Sequence, residues 1–271
     1  MKFKYLIIIF SIIIILIILI TVVLPLFMAG PGFAVNFQLV LLPLLIFMFL
    51  LLAGIGIYFL LNYRLLSLLE REDWPALAYY LEEKIIVKGR YSSQNVRLLA
   101  SSYLVISDYP AVQRLESKAA LAKPSSVDKN VLIFGAARVL SGNHEEAVIF
   151  FKDYLDKCAA KDRPWVRWFL GFSYLLSGAF SLAEPEFSSL AVYSDDAIIT
   201  GLSAYFLDTS LAKNSLKPAE CRASAEKGRS RVIKVIKNNE NWKKEADRAG
   251  TEIHIAIIRK YINEAGKWLY K

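Results

Sequence analysis

The sequence predicts an all-α protein: an N-terminal two-helix transmembrane hairpin followed by an α-solenoid of antiparallel helix pairs. Three observations predict it. Two charge-free apolar runs, Tyr5–Ala29 and Phe37–Tyr63, open the chain. Beyond Tyr63, hydrophobic residues recur at helical spacing between short turn signals. Between Asp128 and Ser194 the chain repeats itself at an interval of 36 residues: Gly135, Gly142, Ala147 and Phe151 return as Gly171, Gly178, Ala183 and Phe187. A fixed period of this size marks supersecondary units that cannot bury their apolar faces alone and so must stack.

The two runs come first. Each exceeds the roughly 20 residues needed to cross the hydrocarbon core, and in lipid only a helix satisfies its own backbone, so helices are expected over about 5–29 and 37–63. The connection Gly30-Pro31-Gly32-Phe33-Ala34-Val35-Asn36 is short, uncharged and turn-prone. The first run is far longer than the apolar core of a cleaved signal, which favours an uncleaved anchor. Lys2 and Lys4 precede the hairpin and Arg64 and Arg71 follow it. Positive-inside reasoning then places both termini and the following domain on the cytoplasmic side of the cytoplasmic membrane. The expected division is 1–63 as membrane hairpin, 64–194 as repeats and 195–271 as a basic C-terminal helical cap.

Asp73-Trp74-Pro75 starts the first helix after the membrane, with Asp73 as N-cap and Pro75 in the first turn. Helices are expected over 73–88, 93–106, 109–120, 127–141, 144–159, 163–177 and 180–193, separated by turns such as Ser107-Asp108, Ser141-Gly142-Asn143 and Ser177-Gly178. Beyond Ser194 the register fades, and 195–212, 217–238 and 241–269 read as capping helices.

Leu170-Gly171, Tyr174, Gly178, Phe180, Ala183 and Phe187 together resemble the tetratricopeptide repeat pattern. Phe134-Gly135, Gly142, Ala147 and Phe151 match one copy earlier, with Arg138 at the aromatic position and His144 in place of Phe180. A weaker copy holds Leu99-Ala100, Tyr103, Ser107, Tyr109 and Val112, and Trp74 and Leu77 resemble the second helix of a still earlier unit. The resemblance covers about residues 64–194. It implies a concave groove lined by the first helix of each pair, here Arg97 and Ser101, Leu132 and Ala136, then Trp165, Trp168 and Phe172. Such a groove would hold a protein partner's peptide or helix. The donors with which some relatives grip a terminal carboxylate are missing at Leu132, Ala136, Trp168 and Phe172.

Catalytic patterns are scarce. His144-Glu145-Glu146 resembles the start of a zinc-protease motif, but Val148 stands where the second histidine belongs. With only two histidines, His144 and His254, a multi-histidine metal site is excluded, and His254 reads as a structural residue in an apolar-periodic helix. Cys158 and Cys221 are far apart, lack Cys-x-x-Cys spacing and read most simply as two small buried residues. No metal, cofactor or enzymatic constellation is expected.

Two surfaces remain. The aromatic set Trp165, Trp168 and Phe172 suits an apolar peptide or helix, because aromatic anchors dominate binding energy; packing against helix 195–212 is the alternative. The whole net charge of +8 lies in residues 213–271, which hold 15 basic and 7 acidic residues. Arg222, Lys227, Arg229, Arg231, Lys234 and Lys237 cluster on one helix and would suit an anionic lipid surface. Nucleic acid is the weaker partner, since aromatic interleaving is poor. The leading expectation is a non-enzymatic membrane-anchored adaptor; the alternative is a lipid- or nucleic-acid-binding module acting through the basic end.

Overall fold

Four of the turns between helices spend one residue with left-handed backbone. Glu72 (φ 54°), Ser107 (φ 60°), Gly142 (φ 79°) and Gly178 (φ 77°) fall 35, 35 and 36 residues apart. Each is followed by Asp73, Asp108, Asn143 or Ala179, and then by Trp74, Tyr109, His144 or Phe180 at the start of the next helix. The left-handed residue lets the departing N–H groups satisfy the last carbonyls. Asp73, Asp108 and Ala179 donate to the carbonyls of Leu68, Tyr103 and Tyr174, and the carboxylates of Asp73 and Asp108 accept from Ala76 and Ala111. The backbone thus shows four turns of one kind where the glycines alone had marked two.

The structure, a computed structural model, describes residues 2–271, apart from the side chains of 2–8, 10, 18, 21–42, 44 and 45. The described residues are all-helical, and the chain divides into two compact units, Met1–Tyr80 and Leu81–Lys271. The first unit contains α1 (Lys2–Glu70) and most of α2 (Trp74–Glu82). Among the described residues one stretch, Ile46–Glu70, is long and apolar enough to cross a membrane, with mean hydropathy 2.1. The turn expected at Gly30–Asn36 does not interrupt the backbone, which stays helical from Lys2 to Glu70. The side chains of that loop, and most of those of the run 5–29, lie outside the described residues.

In the second unit α2 ends in a π-turn, Glu83–Val87, and the chain continues through α3 (Ser93–Val105), α4 (Tyr109–Ala122), α5 (Pro124–Asp128), α6 (Val131–Leu140), α7 (His144–Tyr154), α8 (Arg163–Leu176) and α9 (Phe180–Tyr193). The pairs α3–α4, α6–α7 and α8–α9 pack face to face across short turns, and α7 also packs on α8. Gly135 and Gly171 allow this approach. A Cβ on Gly135 would overlap the Phe151 ring, and one on Gly171 would lie 3.2 Å from the Glu186 Cβ. Arg138, standing where the repeat pattern has an aromatic residue, lies over the Phe150 ring at 4.2 Å and pairs with Glu116 (2.7 Å) on α4 and Glu146 (3.2 Å) on α7. Cys158 and Cys221 are both free and buried.

The remaining elements are α10 (Ala197–Phe206), a π-turn Leu207–Leu211, α11 (Ala212–Asn214), α12 (Pro218–Val235), α13 (Asn239–Ala249), α14 (Ile253–Ile257) and α15 (Arg259–Leu269). The helix expected over 241–269 is therefore three, broken at Gly250–Glu252 and at Ile258. Glycines again set the spacing: Cβ atoms at Gly201 and Gly266 would meet the Trp242 ring at 2.6 and 2.5 Å. Trp242 is fully buried between them and donates its indole N–H to the Ile262 carbonyl at 2.9 Å.

Candidate functional site

The spacing Trp165, Trp168, Phe169, Phe172 lays four rings along one face of α8, opened by Pro164 in its first turn. All four are buried. Trp168 stacks on Phe172 at 5.1 Å between centroids and meets Phe206 of α10 at 6.1 Å. Phe172 meets Tyr261 of α15 at 5.4 Å, and Trp165 meets His254 of α14 at 5.6 Å. The structure therefore brings the expected aromatic groove residues together, but beneath the chain's own C-terminal helices. Ala136 is fully buried as well, and α14 packs on α6. Of the two alternatives for the aromatic set, packing against α10 is observed, and α14 and α15 complete the cover. Sequence reading missed this cover, because the apolar period of 253–269 signals a helix without signalling which surface it meets.

Arg97, Leu132 and Trp165 keep a different position. They line a cavity of about 210 Å³ together with Lys129, Lys161, Glu252 and His254. Its entrance carries both signs of charge, and Arg97 of α3 forms an ion pair with Glu252 just before α14. Asn130 holds one wall, donating to the carbonyls of Ser93 (2.9 Å) and Ser126 (2.7 Å). His254 is 6 % exposed, and its Nε2 has no hydrogen-bond partner. Burial, reinforced by the nearby Arg97 charge, lowers its pKa from 6.5 to about 4, so the ring is neutral. The Trp168 indole N–H is likewise buried without an acceptor. Asp196, the N-cap of α10, accepts from the amides of Ile198 (2.8 Å) and Ile199 (3.1 Å), yet burial raises its carboxyl above the usual range.

Five of the six cations expected on one helix lie within α12, while Lys237 falls past its end because the backbone turns extended at Ile236; the six separate into two groups. Arg229 and Arg231 flank the buried stripe of Cys221, Ala225, Gly228 and Val232 on opposite sides. Arg229 donates to the Leu269 carbonyl at 3.1 Å and lies over the Trp268 ring at 5.2 Å. Arg231 donates to the carbonyls of Ala191 (3.1 Å) and Ser194 (2.8 Å) at the end of α9. These two hold α12 in place. Arg222, Lys227, Lys234 and Lys237 are exposed on the outward side. Among the described residues no group of three or more His, Cys, Asp or Glu is placed to hold a metal ion.

A protein from Treponema pallidum (strain Nichols), described as an uncharacterized protein, is 28 % identical over 219 residues, covering 77 % of this chain and 69 % of that one. No solved structure matches, and no tetratricopeptide-repeat family model does. One family model matches residues 111–271, from the first turn of α4 to Lys271, a region that includes both α6–α9 and the helices that cover the aromatic face. The chain belongs to the family described as "Uncharacterised Treponema protein".

Proposed function

We propose that this protein is a membrane-anchored, non-catalytic scaffold with a tetratricopeptide-like arrangement of helix pairs, which docks a partner protein on their concave side. The observation that carries the reading is the cavity of about 210 Å³ left open between Arg97, Lys129, Leu132, Lys161 and Trp165 after α14 and α15 have covered the rest. Apolar side chains (Leu132, Ile133, Trp165) and charged ones (Arg97, Lys129, Lys161) line it together, the combination by which a small docking site gains both affinity and orientation. Photo-crosslinking from positions 129 and 161 in native membranes is expected to trap one specific protein, and Arg97→Ala is expected to reduce that product. If both positions capture no more than position 121 on the far end of α4, the reading is wrong.

The anchor is proposed as a hairpin. At 1.5 Å per residue α1 would extend about 100 Å, roughly three times the hydrocarbon core. A bilayer therefore favours a break at Gly30-Pro31-Gly32, where both prolyl and glycyl residues weaken the ladder. With Lys2, Lys4, Arg64 and Arg71 at its ends, the hairpin leaves the helical domain in the cytoplasm. Protease added to intact cells is expected to leave that domain uncut, whereas cleavage within 81–271 would reverse the assigned sidedness.

A further inference from the structure

We propose that the outward face of α12 is a contact surface for an anionic lipid bilayer. Two arginines of α12 do not take part in that face. Arg229 and Arg231 spend their charge on backbone carbonyls at either border of the buried stripe. That clamps the rotation of α12 and turns a fixed side outward. On that side stand Arg222, Lys227 and Lys234, with the exposed Lys237 two residues past the helix end, and none of the four forms an ion pair among the described residues. The exposed acids of α12 are Glu220 and Glu226; Glu220 is paired with Lys217 just before the helix, which leaves Glu226 against four cations, an excess of three positive charges. The neighbouring α13 is different: its Asp247 pairs with Arg259 and its Glu245 with Arg248. The largest local excess is thus on α12, with five cations and two acids, against three of each on α13.

A second observation separates this face from an ordinary solvated one. Ile233 on the face is 36 % exposed, and along its border, where Arg231 meets the end of α9, Val235 is 76 % and Tyr193 is 78 % exposed. Cations with an exposed tyrosine and β-branched tips are the composition that rests at a lipid headgroup boundary. A single-stranded nucleic acid would call for stacking rings between the cations, and the outward face of α12 has none.

The third observation is covalent. The same chain carries Ile46–Glu70, so on the anchor reading, on which this proposal rests, the domain never leaves the neighbourhood of the bilayer. Tethering makes the contact effectively intramolecular, so a weak surface suffices. Each cation near an anionic membrane multiplies the population of the docked state about fivefold.

The test uses the full chain reconstituted into vesicles of phosphatidylcholine alone, or with about 30 % phosphatidylglycerol. A fluorophore is attached at Ser230→Cys, on the exposed face; native Cys158 and Cys221 are buried and react slowly. Quenching by headgroup-labelled lipid is expected to be several-fold greater in the anionic vesicles. The combination Lys227→Glu, Lys234→Glu and Lys237→Glu is expected to abolish that difference, with an unchanged circular dichroism spectrum. About 0.5 M salt, which needs no substitution, is expected to do the same. Equal quenching in both vesicle types, or a difference that survives salt, overturns the proposal. Failure of the chain to resist carbonate extraction from either vesicle would instead overturn the anchor reading, so the two outcomes are distinct.

Discussion

His254 shows what burial does to one side chain. Its ring lies between Trp165 and Phe169, with a pKa lowered from 6.5 to about 4. Above about pH 6.5 the folded and unfolded rings are both neutral and the contribution to stability is whole. As pH falls from 6.5 toward 4 the unfolded chain takes up a proton that the folded chain refuses, and stability is lost by up to about 3 kcal/mol. Denaturant unfolding across this window should show that loss, and His254→Gln should flatten it; a parallel decline in the variant would assign the effect elsewhere. The sequence identified His254 as structural from the isoleucines around it. It could not show the lowered pKa, because Trp165 and Arg97 are distant in the chain.

At the scale of the element, helix ends were half legible. Gly142 and Gly178 announce left-handed turns because glycine takes that conformation without a Cβ clash. Glu72 and Ser107 adopt it in silence, held by the same capping bonds. Ser107 is exposed and carries a conformational cost that glycine lacks, so Ser107→Gly should stabilise the domain by about 0.5–1 kcal/mol, read as a raised thermal midpoint. Destabilisation would mean that the hydroxyl has an unrecognised role. The basic helix makes a similar point. Six cations looked equivalent along the sequence, but two make charged hydrogen bonds to carbonyls. Arg231→Ala should cost about 1.5–3 kcal/mol, whereas Lys227→Ala should stay within about 0.5 kcal/mol. Equal effects in the two unfolding curves would contradict that division.

For the second unit as a whole, the helix pairs were legible because their packing positions recur: Gly135 and Gly171, Ala147 and Ala183, Phe151 and Phe187. What covers the aromatic face was not, because His254 and Tyr261 reach Trp165 and Phe172 from about 90 residues away and share no period with them. A chain ending at Ala249 loses the cover over Trp165 and Phe172. It should show red-shifted tryptophan emission and bind a hydrophobic dye, and a native-like spectrum would mean that α10 alone seals the face.

That cover also sets an order in time. A ribosome delivers α8 some 80 residues before α14 and α15, so the four rings of α8 emerge well ahead of the helices that shield them. Through that interval the nascent domain holds an unfinished core. Completion waits for the last residues to be translated, and a stalled or clipped chain is marked as incomplete by the tryptophans it leaves in view.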